Sequence, residues 1–157
     1  MPWSAEYARL FVQEHPRLVV YDDVEAIGFG QQAGEDVALA QARGAGAPLV
    51  LHDTDLASTA VYSRHYYGDC PAWIEPASVA RRADLYLLHQ PDVPWVADGH
   101  QRIEPERRLE LFVRFRDTLA ALGTAVVEIG GTWDERRRAA IDAVDGLSTV
   151  APGKPHR

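Results

Sequence analysis

Length, composition and charge place this chain among single globular domains. It has 157 residues, of which 46% are apolar and 25% charged, and its formal net charge is -7. This balance predicts one soluble domain over residues 1–147 and a flexible tail over residues 148–157. The acidic charge argues against nucleic acid as a partner.

Membrane and disulfide classes are also disfavoured. No apolar run approaches the roughly 20 residues of a membrane-spanning helix, and the sequence contains one cysteine, Cys70. A single cysteine excludes an internal disulfide framework or a zinc site built from a cysteine cluster. A cytoplasmic location without membrane association is therefore expected.

The first part of the chain is predicted to be helical. One helix is expected over residues 5–14, with Ser4 as a candidate cap, because the residue before Pro16 is driven out of the helical region. Residues 22–43 carry apolar and small side chains at helical spacing. One or two helices are expected there, although each interior glycine costs about 1 kcal/mol relative to alanine.

Residues 47–56 form an apolar run that ends in two carboxylates, and the rest of the chain is organised around it. The run predicts a buried strand of a parallel sheet, at whose carboxyl end ligands bind. If the strand geometry continues through Thr54, Asp53 and Asp55 point to the same side. Such a pair suits Mg²⁺ beside substrate phosphates. The alternative for Asp55 alone is a cap on the next helix.

That next helix is predicted over residues 56–67 and ends in a dense group of aromatic and basic side chains, which includes Tyr67. Gly68 occupies the position at which a left-handed residue commonly ends a helix. The aromatic group could hold a planar ligand, although packing is at least as common a role for such side chains.

Strands and helices alternate in the remainder of the chain. Gly123 ends one helix, and Thr132 with Glu135 forms a capping box for the last, which Gly146 is expected to stop. Its inner face is predicted to include Arg137 and Ile141, and Leu109 is expected to widen the apolar stripe of the helix before it. The alternation predicts an α/β domain with a parallel sheet. In order, the predicted elements are a strand at 83–89, a polar loop at 90–101, a helix that begins near Pro105, a strand at 126–129 and a helix at 133–145.

With these residues placed, the chain resembles the NadR-like ribosylnicotinamide kinases, a branch of the P-loop kinase superfamily related to the AAA-type ATPases. The resemblance covers nearly the whole chain and rests on short motifs in the same order. These are Glu6-Tyr7-Ala8-Arg9, Gly30-Gln31, Asp53-Thr54-Asp55, Tyr67-Gly68, the loop from Trp95 to Arg102, and Val127-Glu128-Ile129. It implies a three-layer α/β/α fold with a parallel sheet and ATP-dependent phosphorylation of a nucleoside-like substrate.

The resemblance also implies roles for individual residues. Glu6 is the candidate base, and Arg102 in a closing lid would reach the transferring phosphate. Asp53 would have a catalytic role by this resemblance and, with Asp55, would order Mg²⁺. The residues implied in substrate binding are Asp55, Tyr67, Arg9 and Trp3, and Asp98 is implied in binding the cofactor ATP.

Two departures from the family pattern modify these expectations. The 157 residues contain no G-x-x-x-x-G-K-[ST] loop, so the first strand and phosphate loop of the family are expected to be missing, and the chain as given is expected to be inactive. Ala5 stands where the family stacks the nicotinamide ring on a tryptophan, and Trp3 could substitute only with a two-residue shift of the backbone. Nicotinamide riboside is therefore not the expected substrate.

Two alternatives to an active kinase remain open from the sequence. One is a non-catalytic binding or regulatory domain on the same scaffold. The other is a partial protein in which an unpaired sheet edge favours self-association.

Overall fold

Helices alternate with short parallel strands throughout the part of the chain that the structure describes. This computed structural model describes residues 1–94 and 107–148, with only the backbone for Ser148. In chain order the elements are β1 (Trp3–Ser4), α1 (Tyr7–Glu14), a 3₁₀ helix (Tyr21–Asp23), α2 (Val24–Ala45), β2 (Leu51–His52), α3 (Leu56–Tyr67), α4 (Ile74–Ala80), β3 (Leu85–His89), α5 (Arg108–Ala121), β4 (Ala125–Ile129) and α6 (Trp133–Ser148). The predicted α/β class with parallel strands is confirmed.

The described residues divide into two compact units, residues 1–82 and residues 83–94 with 107–148. In the first unit β1 pairs with β2, and in the second β3 pairs with β4, both in parallel. The single-domain boundary at residue 147 stays a prediction, and the predicted tail from residue 149 onward lies outside the described residues. None of the described helices has both the length and the apolar character that crossing a membrane requires.

The β1–β2 ladder is shorter and more exposed than the apolar run at 47–56 predicts. Trp3 pairs with Leu51 and Ser4 with His52. The face with Ser4 lies against α2, and Ser4 is buried, whereas Trp3 is 62% and Leu51 40% exposed. The prediction of a buried strand is therefore wrong, because among the described residues Ser4 is buried against α2 whereas Trp3 and Leu51, one pair of this two-residue ladder, are exposed.

Helix α2 is one continuous helix whose glycines make room for other side chains. A Cβ on Gly30 would lie 2.1 Å from the Tyr7 ring, and a Cβ on Gly28 would lie 3.1 Å from Trp73. The helix ends at Gly46, which has a left-handed φ of 61°. Close packing therefore explains the glycines at positions 28 and 30, and the left-handed helix end explains Gly46. Glycines in the interior of an isolated helix would weaken it.

The core of the first unit lies where α2, α3 and α4 meet. Its buried members are Val24, Leu56, Ala60, Cys70 and Ile74. Helix α4 was not predicted, and Pro76 is tolerated in it because the first turn of a helix does not need that N–H. The predicted bounds of α3, and Gly68 as its left-handed end, are confirmed.

In the second unit the predicted capping box of α6 is confirmed. The Thr132 N–H donates to Glu135 Oε2 at 2.8 Å, and the Glu135 N–H donates to Thr132 Oγ1 at 3.4 Å. Gly146 does not stop the helix, which continues to Ser148 because Gly146 keeps a negative, helical φ.

The predicted inner faces of the last two helices need correction. In α6 the buried residue is Arg136, which is 4% exposed, whereas the predicted Arg137 is exposed and Ile141 is 49% exposed. In α5 Leu109 is 65% exposed, although Leu111 and Leu119 are buried as predicted. In α6 the buried position is therefore that of Arg136, whose guanidinium donates to backbone carbonyls at the strand ends, whereas α5 keeps its predicted buried stripe and differs only at Leu109.

Candidate functional site

The ends of β1 and β2 bring Glu6 and Asp53 to the same edge of the sheet. The last bond of the ladder runs from the Asp53 N–H to the Ser4 carbonyl at 2.9 Å. Glu6 lies two residues beyond Ser4, at the extended position that precedes the first turn of α1. Both carboxylates therefore follow the carboxyl ends of neighbouring parallel strands, where ligands bind in sheets of this kind.

Tyr62 of α3 lies within electrostatic reach of both carboxylates. Burial raises the pKa of the Tyr62 phenol, and the negative charges of Glu6 and Asp53 raise that pKa further. The phenol is therefore neutral at physiological pH and keeps its proton for donation.

Sequence reasoning did not single out Tyr62 within the aromatic group of its helix. The available signal was its spacing, because Tyr62 lies seven residues after Asp55, which is two helical turns, and so shares the face of α3 that begins at the strand end.

Glu6 also contacts the cation that follows it on α1. Arg9 Nε lies 3.3 Å from Glu6 Oε2, and the Arg9 side chain is 59% exposed while that of Glu6 is 21% exposed. A pair this open to solvent contributes little to stability. Its consequence is local, since it places one positive charge beside the candidate base.

Asp55 caps α3 instead of continuing the strand. Its Oδ1 accepts the Ser58 N–H at 3.1 Å, and Thr54 before it has a left-handed φ of 65°. The assumption that strand geometry continues through Thr54 is therefore wrong, and the alternation that would align Asp53 with Asp55 does not apply.

The fit of this edge to Mg²⁺ depends on Asp53. Within residues 1–94 and 107–148 no group of three or more His, Cys, Asp or Glu side chains gathers as a metal site. A magnesium ion that keeps its waters and binds phosphate requires only one or two carboxylates. Asp53 is exposed at the strand end and fits that requirement, and the Mg²⁺ roles of Asp53 and Asp55 stay predictions.

The buried amide of Gln31 bridges the two strand ends. It accepts the Tyr7 N–H at 2.9 Å and donates to the Thr54 carbonyl at 3.1 Å. A buried ion pair lies behind it, with Arg81 Nε 3.1 Å from Glu35 Oε2. Sequence reasoning gave Gln31 no role, because its partners lie more than twenty residues away on either side.

The other predicted site residues lie elsewhere or outside the described ranges. Tyr67 donates its hydroxyl to the Val19 carbonyl at 2.7 Å and packs against the core, so its observed contacts are structural. Trp3 lies within β1, before the strand end. Asp98 and Arg102 lie outside the described residues, and their roles stay predictions.

In the second unit the ends of β3 and β4 are joined by Arg136. Its guanidinium donates to the Ile129 carbonyl at 3.1 Å and to the Gly131 carbonyl at 2.9 Å, and it forms an ion pair with Asp92. Asp92 in turn accepts the Gly131 N–H at 2.7 Å. The positive charge and its donors are thus engaged by the strand ends themselves.

Comparison with known proteins identifies the family. The sequence profile described as AAA domain matches residues 1–136. The chain belongs to this AAA domain family. A comparison with curated proteins found no match to this chain.

The fold of this chain is similar to that of a solved structure. It is titled as the crystal structure of a NadR protein in complex with NR, and it matches with 26% sequence identity and a TM-score of 0.69. The alignment covers 99% of this chain and 45% of the NadR chain, so the AAA domain chain spans less than half the length of that protein. The NadR-like, P-loop kinase-type fold predicted from the sequence motifs is thereby confirmed.

Proposed function

We propose that this chain carries the acceptor-substrate site of an ATP-dependent small-molecule kinase, with a nucleoside-like compound as the acceptor. The observation that carries the proposal is the placement of Glu6 and Asp53 after the carboxyl ends of adjacent parallel strands, near the half-buried Tyr62. A base, a second carboxylate and a neutral donor at one sheet edge suit a hydroxyl-bearing substrate.

In the proposed reaction Glu6 acts as the general base. It accepts the proton of the acceptor hydroxyl as that oxygen bonds to the γ-phosphorus of ATP and the bond from phosphorus to the ADP oxygen breaks. Because positioning provides most of the rate enhancement in such transfers, a carboxylate with an ordinary proton affinity suffices. Tyr62 donates a hydrogen bond that orients the substrate at this edge.

Asp53 is the residue that would hold Mg²⁺, with Asp55 ordering the backbone beside it through the helix cap. When bound, Mg²⁺ offsets the charge of the phosphate oxygens. Arg9 and Arg102 are proposed to add positive charge near the transferring phosphate, and Asp98 to contact the nucleotide.

The proposed acceptor is a nucleoside other than nicotinamide riboside. The solved NadR structure is a complex with NR by its title, which supports a nucleoside-like compound. Ala5 however stands where the resembling kinases have a stacking tryptophan, and one stack of base on aromatic ring contributes about 1 to 3 kcal/mol. Trp3 is the aromatic residue proposed to take over this stacking role, and its backbone pairs with Leu51 of β2.

A second candidate is a binding domain that keeps the substrate site without catalysis. It is favoured by the sequence, in which no G-x-x-x-x-G-K-[ST] loop occurs among the 157 residues. In P-loop enzymes the backbone N–H groups and the lysine of that loop hold the ATP phosphates. Phosphoryl transfer therefore distinguishes the two candidates, whereas nucleoside binding is common to both.

The test is calorimetric titration of the 157-residue chain with a panel of nucleosides that includes nicotinamide riboside. We expect Glu6→Gln and Asp53→Asn to weaken binding about tenfold, which corresponds to roughly 1.4 kcal/mol. Glu14→Gln, at the exposed end of α1, and Asp22→Asn, at an exposed site, are the matched controls. Binding that both site variants leave unchanged would refute the proposed site.

Transfer of labelled phosphate from ATP to the bound nucleoside, measured on the same protein, would establish the kinase. Binding without transfer would favour the second candidate. An Ala5→Trp variant tests the acceptor, because we expect it to strengthen binding of nicotinamide riboside specifically. Tight binding of that nucleoside by the unmodified chain, with no gain in Ala5→Trp, would contradict the acceptor assignment.

A further inference from the structure

Gln31 is a buried amide that holds the residue after each of the two site carboxylates. Its side chain accepts from the N–H of Tyr7, which follows Glu6, and donates to the carbonyl of Thr54, which follows Asp53. Gln31 is only 2% exposed, so water does not compete readily for either bond. One side chain thus bonds to the backbone at both Tyr7 and Thr54, which lie 47 residues apart in the sequence.

The amide of Gln31 has one orientation that makes both bonds. A backbone N–H donates and a carbonyl accepts, so Oε1 must face Tyr7 and Nε2 must face Thr54. Glu35 favours the same orientation, because its Oε1 accepts from Nε2 at 3.5 Å. The bridge is therefore directional, and an apolar side chain of the same length would fill the space without reproducing it.

Glu35 is itself held in place by a cation. It is 4% exposed, and Arg81 at the end of α4 donates to it at 3.1 Å. Burial raises the pKa of Glu35, and the hydrogen bond and charge of Arg81 oppose that increase. The amide of Gln31 thus donates to the buried carboxylate of Glu35, which is itself paired with Arg81.

The backbone alone does not fix these strand ends. The ladder stops at the bond between Asp53 and Ser4, after which one chain turns into α1 and the other turns at Thr54. A β-branched residue with a φ of 65° is strained, at a cost of about 1 to 3 kcal/mol, and such a conformation persists when its surroundings hold it. The bond from Gln31 to the Thr54 carbonyl is one such restraint.

We propose that Gln31 is a positioning residue that sets the separation of the Glu6 and Asp53 carboxylates, so that both engage one acceptor substrate. This inference rests on the proposed function. It assigns Gln31 no contact with the substrate, and its effect passes through the backbone at Tyr7 and Thr54.

Three variants test the proposal. Gln31→Met keeps the length of the side chain and removes both hydrogen bonds. Gln31→Glu, studied at a pH high enough to ionise the new carboxyl beside Glu35, keeps an acceptor for the Tyr7 N–H and has no donor for the Thr54 carbonyl. The matched control is Gln41→Met, on the exposed face of the same helix.

Two measurements are made on each folded variant, namely hydrogen exchange at the Tyr7 amide and affinity for the nucleoside that the wild-type chain binds most tightly. We expect Gln31→Met to lose protection at Tyr7 and to bind about tenfold more weakly, and Gln41→Met to change neither. Gln31→Glu should keep protection at Tyr7 and still bind more weakly, because the Thr54 end is released. A purely structural role would lower the unfolding temperature without changing the affinity of the folded protein.

The outcomes separate this inference from the function on which it rests. Fast exchange at Tyr7 with wild-type affinity overturns the positioning role and leaves the proposed function intact, and wild-type exchange at Tyr7 in Gln31→Met overturns the bridge itself. A wild-type chain that binds none of the nucleosides refutes the proposed function and this inference with it. If Gln31→Met does not fold, Gln31→Glu decides, and wild-type affinity in that variant overturns the proposal.

Discussion

Replacing Gly30 by alanine is a direct test of the packing that places α1 on α2. The new Cβ would lie 2.1 Å from Tyr7 Cε1 and 2.2 Å from its Cζ. Carbon atoms in contact are about 3.5 to 4.0 Å apart, so the ring has to move by more than about 1 Å. Overpacking of this kind costs about 1 to 3 kcal/mol.

The expected change in unfolding free energy is the cost of overpacking minus the gain in helix propensity. Alanine in place of an interior helical glycine stabilises by about 1 kcal/mol. The net loss for Gly30→Ala is then about 0 to 2 kcal/mol relative to wild type. Gly44→Ala is the matched control in the same helix, because no atom lies within 4 Å of its added Cβ, and we expect it to stabilise by about 0.5 to 1 kcal/mol.

The assay is urea unfolding of both variants. With a slope of about 2 kcal/mol per molar urea, a difference of about 0.5 to 3 kcal/mol separates the two midpoints by about 0.2 to 1.5 M. In a Tyr7→Ala background the penalty should disappear, and Gly30→Ala should then behave like Gly44→Ala. Equal midpoints for the two alanine variants in the wild-type background would refute the packing argument.

Three further predictions concern charge and phosphate. Arg17 donates hydrogen bonds that hold the pKa of Asp23 at about 2, so Arg17→Met should unfold at a lower urea concentration than the wild type above pH 4. That deficit should vanish as the pH falls through 3.8 towards 2, and a deficit that persists below pH 2 would contradict the assignment. Arg81→Met should destabilise the protein by about 3 kcal/mol in thermal unfolding because it leaves Glu35 buried without its cation, whereas Arg82→Met at an exposed site should be neutral; equal losses would refute the buried pair. The 157-residue chain should bind Mg-ATP with a dissociation constant weaker than about 1 μM, or roughly 8 kcal/mol, and tighter binding in calorimetry would mean that other residues hold the phosphates.

The elements that sequence reasoning predicted well are those with local signals at both ends. Asp55 and Gly68 bound α3, and Thr132 with Glu135 begins α6. Each signal acts within about one helical turn, so a linear pattern contains it. Gly146 was misinterpreted because a glycine ends a helix only when the backbone turns left-handed there, and nothing local requires that turn.

The candidate site was predictable in part for the same reason. The apolar run before Asp53 indicated a strand end, and the family resemblance indicated Glu6, but the strand β1 that brings Glu6 beside Asp53 was not predicted. The strain at Thr54 and the bridge through Gln31 depend on chain segments that meet only in the folded protein. No periodicity or spacing contains that information, since helix α2 separates these segments in the sequence.

Thr54 also affects any attempt to make this protein more heat-resistant. Asparagine and glycine adopt the left-handed region with less strain than threonine, so a screen for thermostable variants should recover Thr54→Asn or Thr54→Gly. The relaxed backbone would no longer need the Gln31 amide to hold it, and the Asp53 carboxylate beside it would sample more positions. At position 54, selection for stability and selection for ligand binding are therefore expected to favour different amino acids.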